Sequence, residues 1–254
     1  MDKLNLILLN GFGANKELVK GLVSYMNEFF KVYLIDLPGH GKNASTIDKI
    51  SIKSIVKYTD EKIYKLGLKP NTYVMGGISF GFLIASKTKA IKDCKAIIAM
   101  EPYLDSTKLR MGEFEGKVMS EIVKLICKTS NYKTIWDSKF LKILLKRRGY
   151  QKRITEFILK TTDPKSFFEI AKILLTHNQK VKFYNKPYAL IINKKDELLN
   201  AEKEIDEFKK RVKKLLTIYT KSPHIPENPT KTHFKKHISS IQIKKIVKYI
   251  NKNA

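Results

Sequence analysis

The sequence predicts an α/β fold: a mostly parallel sheet with helices on both faces and a helical insertion in the second third of the chain. Three observations carry that expectation. Short, near-continuous apolar runs alternate with amphipathic stretches over the first hundred residues, and strands buried on both faces read that way. The alternation stops between residues 103 and 186, where only helical spacing is found. It then resumes to the C-terminus. The organisation expected is a core formed by 1–102 and 187–254, with 103–186 inserted as a helical lid over one end of the sheet.

Leu4–Leu9 reads as the first strand. Glu17–Phe30 follows as a helix, with Leu18, Leu22, Tyr25, Met26 and Phe29 on one stripe. Lys31–Asp36 is the second strand. Ile52–Leu66 is a helix whose apolar face carries Ile52, Ile55, Val56, Ile63 and Leu66. Thr72–Gly76 is the third strand, Phe80–Ile91 a helix, and Ala96–Met100 the fourth strand. The insertion holds helices over Val118–Cys127, Phe140–Leu145, Ile154–Leu159 and Phe167–Leu175, the last announced by Asp163-Pro164. Pro187–Asn193 is a strand, Ala201–Leu216 a helix, Leu216–Thr220 a strand and Ile241–Ile250 the closing helix. Asn251–Ala254 is expected to fray.

Composition narrows the class. A chain of 254 residues with 43% hydrophobic side chains can bury a sizeable core. The Leu4–Leu9 run is too short for a signal segment, and no apolar stretch is long enough to span a membrane. Cys94 and Cys127 show no metal or redox spacing, so both are expected as buried thiols in a reducing cytoplasm. Lys+Arg number 50 against 24 Asp+Glu, a formal charge of +26. The cations are spread along the chain, which points to a lysine-biased composition and not to a specific nucleic-acid partner. The densest group is Lys142, Lys146, Arg147, Arg148, Lys152 and Arg153. It reads as a solvated helix face, and it would also suit an acidic carrier or CoA.

The chemistry is carried by Gly77-Ile78-Ser79-Phe80-Gly81, placed between a strand and a helix. A sharp turn there leaves no room for side chains at the glycines and exposes the serine hydroxyl at the sheet edge. Two later strand ends supply partners. Lys194-Lys195-Asp196-Glu197 follows one and Lys221-Ser222-Pro223-His224 the other. Loops at the carboxyl ends of parallel strands form the site in such sheets. Asp196 and His224 are separated by one helix–strand unit, so both fall on the rim that carries Ser79. Glu197 is the alternative acid, and Asp196 could instead cap the helix that follows. His233 and His237 are the alternative bases, though His237 lies farther on than one such unit needs. His40 reads as a turn residue, and His177, inside the insertion, as exposed. The glycines of Asn10-Gly11-Phe12-Gly13 let backbone N–H groups approach a substrate oxygen. Phe12 and Phe80 would supply an oxyanion hole. Asn10, Gly11, Tyr103 and Trp136 are candidate pocket residues, with Leu104, Leu109, Met111 and Phe114 beside them. Gly41-Lys42 lacks the earlier glycine of a phosphate loop, because Asp36 stands there.

Together, Asn10-Gly11-Phe12-Gly13, Asp36-Leu37-Pro38-Gly39-His40-Gly41 and the Gly77–Gly81 turn resemble the α/β-hydrolase superfamily over nearly the whole chain. Within it the chain is similar to small serine carboxylesterases, including pimeloyl-acyl-carrier-protein methyl esterases. Two positions depart from the pattern: Asn10 replaces the usual histidine, and Asn43 the usual serine after Gly-His-Gly. The resemblance implies cleavage of a carboxylic ester or thioester through an acyl-serine on Ser79, with His224 as base and Asp196 as its orienting acid. It implies no metal and no cofactor. Acyl transfer on the same residues and non-catalytic ligand binding on the same scaffold are the competing readings. Dehalogenases and epoxide hydrolases of the superfamily would carry an aspartate where Ser79 stands.

Overall fold

The computed structural model describes the chain except residues 1–2, 43, 222 and 226–228. Six strands form one sheet: β1 (Leu4–Leu9), β2 (Phe30–Ile35), β3 (Tyr73–Ile78), β4 (Ala96–Met100), β5 (Tyr188–Ile192) and β6 (Leu215–Tyr219). Their spatial order is β2-β1-β3-β4-β5-β6, and every pair is parallel. The order reverses between β1 and β3. At such a switch point the loops diverge and leave a crevice beyond the carboxyl ends.

The period of two along β1 divides the core. Leu6 and Leu8 point to one face, packed with Leu22, Tyr25, Ile243, Ile246 and Ile250. Those residues come from α1 (Lys20–Met26) and α11 (Ser240–Asn253). Ile7 and Leu9 point to the other face, packed with Ile55, Leu83 and Phe208. There lie α2 (Ile52–Tyr64), α3 (Phe80–Ala85) and α9 (Ala201–Arg211). Between β4 and β5 the chain makes α4 (Glu113–Thr129), α5 (Tyr132–Trp136), α6 (Lys139–Arg147), α7 (Lys152–Thr161) and α8 (Pro164–Thr176). Their inner faces share a separate apolar cluster of Ile126, Trp136, Leu141, Leu145, Ile154, Ile158, Phe167 and Phe168. Asp163 caps α8 by accepting from Ser166 N–H at 2.7 Å, with Pro164 as the first helical residue. A short α10 (Lys231–His237) precedes α11.

Several boundaries move relative to the sequence reading, each for a local reason. α1 is shorter than Glu17–Phe30 because Phe30 is taken into β2, opposite Leu4. α3 stops at Ala85, short of Ile91. Ser86 Oγ donates to the Leu83 carbonyl at 2.7 Å and Thr88 Oγ1 to that of Ala85 at 2.8 Å, bonds that compete with continuation of the helix. α9 ends at Arg211, and β6 takes up Leu215 and Leu216. α11 continues to Asn253, so the C-terminal residues do not fray as expected. Cys94 is buried and Cys127 half-buried, both as free thiols. No described helix is long and apolar enough to cross a membrane.

Candidate active site

Ser79 directly follows β3 and caps α3 with φ +49° and ψ −122°. This left-handed conformation is costly for a residue with a Cβ. It is held by Ser79 N–H donating to the Met100 carbonyl at 2.9 Å, and by Tyr103 N–H donating to the Ser79 carbonyl at 3.2 Å. The flanking glycines are needed for space. A Cβ on Gly81 would sit 2.3 Å from the Asn10 carbonyl oxygen, and one on Gly77 would sit 2.4 Å from Phe82 Cα.

His224 Nε2 lies 3.0 Å from Ser79 Oγ, and its Nδ1 lies 2.7 Å from Asp196 Oδ2. An ionised carboxylate only accepts. Nδ1 therefore carries the proton toward Asp196 and leaves the Nε2 lone pair facing the serine hydroxyl. Burial works against the His224 charge, but the adjacent Asp196 outweighs it and raises the imidazole above its ordinary range. Burial likewise opposes ionisation of Asp196. The His224 charge and the N–H groups of Leu198 and Leu199, at 2.7 and 2.8 Å from Oδ1, overcome it and hold the carboxyl below its usual range. Asp196 thus serves the following turn and His224 at once. Its loop is anchored by Arg110, whose guanidinium donates to the Asp196 carbonyl at 2.9 Å.

The other sequence candidates are placed as follows. The imidazole bonds Asp196 and not Glu197; Glu197 accepts from Ile225 N–H at 3.2 Å, which ties the two loops together, and its charge adds to the rise of His224. His233 and His237 pack against each other along α10, centroids 4.4 Å apart and rings tilted by 50°. His40 is buried in its turn with Nδ1 3.0 Å from the Pro38 carbonyl, and burial pushes it down to about 4. His177 is buried at the end of α8, not exposed. Asn43 and Ser222 lie outside the described residues.

Beside Ser79 opens an apolar cavity of about 230 Å³. Gly11, Phe12 and Tyr103 line it, with Leu145, Ile158 and Phe167 from the inserted helices. Gly11 lies against the serine, since a Cβ placed on it would be 3.3 Å from Ser79 Cβ. The Phe12 ring packs 4.5 Å from that of Phe167. Leu109 and Met111 also reach the cavity. Four expected pocket residues do not line it, among them Leu104, which is buried in the core. Trp136 is buried among the inserted helices and donates Nε1–H to the Leu159 carbonyl at 3.0 Å. Phe114 faces solvent at 82% exposure. Asn10 is buried behind the loop, where its amide donates to Asp36 Oδ1. The basic group is partly partnered: Arg148 pairs with Glu115 at 2.8 Å and lines the cavity, and Lys152 lies 3.9 Å from Glu156.

The sequence reading missed Glu101, the residue immediately after β4. Its φ is +42°, and its carboxylate accepts from Asn193 N–H at 2.8 Å. Carboxyl oxygens of Glu101 and Asp196 and a ring nitrogen of His224 all lie within 4.8 Å of one another. An acid directly after an apolar strand, at the carboxyl edge of the sheet, was the available signal.

No family model matches the chain. Among curated relatives, the Xenopus laevis monoacylglycerol lipase abhd6-A is 29% identical over 85 residues, covering 33% of this chain and 25% of that protein. The human monoacylglycerol lipase ABHD6 is 26% identical over 136 residues, 50% of this chain and 40% of that one. The pimeloyl-[acyl-carrier protein] methyl ester esterase of Wigglesworthia glossinidia brevipalpis is 28% identical over 88 residues, 35% and 31% of the two chains. The chain thus spans less than half the length of these relatives. Among solved structures, an esterase from Thermogutta terrifontis superposes with a TM-score of 0.68 at 13% identity, covering 97% of this chain and 90% of that one. The enol-lactonase from Burkholderia xenovorans LB400 gives 0.66 at 13%, covering 99% and 92%. These likenesses show the fold.

Proposed function

We propose, from the premise that the chain belongs to the α/β-hydrolase superfamily, that it is a serine hydrolase cleaving a carboxylic ester or thioester through an acyl-serine. One observation carries the reading: Ser79 Oγ, His224 and Asp196 form an unbroken hydrogen-bonded relay of 3.0 and 2.7 Å, with the serine on a strained turn beside an apolar cavity.

In this mechanism His224 Nε2 takes the Ser79 proton as Oγ attacks the substrate carbonyl. Asp196 holds the imidazole in the tautomer that can accept, and offsets the charge it gains. The oxyanion is received by the N–H groups of Phe80, first residue of α3, and Phe12, in the loop against Ser79. His224 then protonates the leaving group, and a water activated the same way releases the acid. The inserted helices act as a lid whose apolar inner face takes the acyl chain, as the lining by Leu145, Ile158 and Phe167 supports. Relatives named for acylglycerol and acyl-carrier ester cleavage are consistent with such a substrate.

A fluorophosphonate probe and short p-nitrophenyl esters test the reading. The native chain should label on Ser79 and hydrolyse the esters, and Ser79→Ala should do neither. Hydrolysis that persists at an unchanged rate in Ser79→Ala would remove the proposal.

A further inference from the structure

Behind the relay lies a second carboxyl that the mechanism above does not use. Glu101 sits at the end of β4, between the loops that carry Asp196 and His224. Its carboxylate accepts from Asn193 N–H, with oxygens at 2.8 and 3.1 Å, three residues before Asp196 in the chain. Thr220 Oγ1, four residues before His224, lies 3.4 Å from Glu101 Oε1. The Glu101 carboxyl also lies within 4.8 Å of the Asp196 carboxyl and of a ring nitrogen of His224. Two carboxylates can only accept, so the pair can hydrogen-bond only with a proton on one of them. Like charges at such range disfavour ionisation of both.

We infer that Glu101 is a positioning residue of the relay: it shares one proton with Asp196, so that the two carboxyls present a single negative charge to His224. The inference rests on the assignment of Ser79, His224 and Asp196 given above. Two observations support it. Glu101 keeps a left-handed backbone, held by its N–H donating to the Ile191 carbonyl at 2.8 Å. Such strain in a residue with a Cβ persists where the surroundings over-determine it, and it clusters at functional sites. A third carboxyl faces the pair: Glu204, on α9, is fully buried, and burial followed by the Asp196 and Glu101 charges drives it well above the usual carboxylate range. Asp105 and Lys108 act on Glu204 with opposite signs from the segment before α4. Burial, followed by the Asp196 charge, drives Glu101 well above the usual carboxylate range, while Asp196 stays below it. The proton therefore resides on Glu101, and the charge beneath Nδ1 resides on Asp196.

Replacing Asp196 removes the like charge that, after burial, does most to keep Glu101 neutral. The imidazolium, left without its partner, then favours a carboxylate on Glu101. The experiment is an NMR titration of the His224 ring in the full chain, comparing Asp196→Asn with Asp196→Asn/Glu101→Gln. The glutamine is isosteric and keeps both a donor and an acceptor. The His224 midpoint should lie roughly 1 unit or more higher in the single variant than in the double one, the size an opposite charge at this range produces. Ester hydrolysis read in parallel should show Glu101→Gln within about threefold of native, but costing at least about thirtyfold in the Asp196→Asn background. Equal His224 midpoints, or an equal loss from Glu101→Gln in both backgrounds, would reduce Glu101 to a structural tie and overturn the inference. Should the double variant fail to fold, Asp196→Asn alone decides: its kcat/KM must rise with pH through a carboxyl ionisation, and a limb without one overturns the inference. The titration reads the carboxyl pair without turnover. A native chain that titrates as expected but neither labels nor hydrolyses would refute the hydrolase assignment and leave the pair standing.

Discussion

Replacing Ser79 by glycine should stabilise the protein relative to replacing it by alanine, although both variants lose the proposed nucleophile. Ser79 is held at φ +49° and ψ −122°, a conformation open to glycine and costly for any residue with a Cβ. Backbone strain of this kind costs about 1–3 kcal/mol. Glycine relieves it but returns about 0.5–1 kcal/mol through the greater freedom of its unfolded chain. The net gain of Ser79→Gly over Ser79→Ala then lies between about 0 and 2.5 kcal/mol, near 1 kcal/mol at mid-range. For a chain of this size the mid-range value corresponds to a rise of roughly 2–4 °C in melting temperature. Urea denaturation measures the same gap as a shift in midpoint at constant slope. Alanine matching or exceeding glycine would mean that the turn stores no strain, and the account of how Ser79 is presented would be wrong. The same comparison at Ser130 is a control. It is also left-handed, with φ +55°, but it caps the end of α4 away from the relay, and glycine there should stabilise without touching activity.

Two further outcomes follow from the site. Burial pushes Asp36, which accepts from Asn10, up to about 6. The folded value lies above the unfolded one, so ionisation destabilises the fold. The cost is absent at low pH, grows between about pH 4 and 6, and is complete above that, at most about 3 kcal/mol. Asp36→Asn should therefore gain stability over the native chain at about pH 7.5 and lose that advantage near pH 4. A difference in urea midpoint that stays constant with pH would contradict the assignment. Leu145 lines the cavity from α6, so Leu145→Trp should shorten it and lower kcat/KM for medium-chain esters about tenfold relative to acetate. An unchanged chain-length profile would place the acyl group elsewhere.

Much of this arrangement was legible in the residues. The strands were visible because each is a short apolar run ended by a turn signal. The relay was visible because parallel strands deliver their loops to one rim, so that a serine, an aspartate and a histidine after three strands must converge there. What was hidden depended on facing and on length. Trp136 looked like a pocket residue because it is large and lies in the insertion. Periodicity marks an apolar face without saying which neighbour covers it, and this ring is buried by Phe167 and Phe168. α5 and α10 have five and seven residues, too few turns for a pattern to stand out. Asn10 was read as a pocket residue, yet its amide is engaged by Asp36, an acid whose upward shift only burial reveals.

Glu101 was hidden for a deeper reason, which also explains why the site sits where it does. Ile78 and Met100 are register partners, the last residues of β3 and β4. The residues that follow them, Ser79 and Glu101, both adopt positive φ without being glycine. Each donates its N–H onward to the next strand, Ser79 to Met100 and Glu101 to Ile191. The parallel ladder thus continues one rung past the strands, and it is this rung that over-determines two strained backbones side by side. A left-handed residue turns its side chain out of the alternation that would otherwise bury it or point it to a helix. Ser79 and the second carboxyl are therefore presented by one device repeated on neighbouring strands. The histidine and aspartate arrive on longer loops and need the ties from Arg110, Glu197 and Glu101 to be held in line.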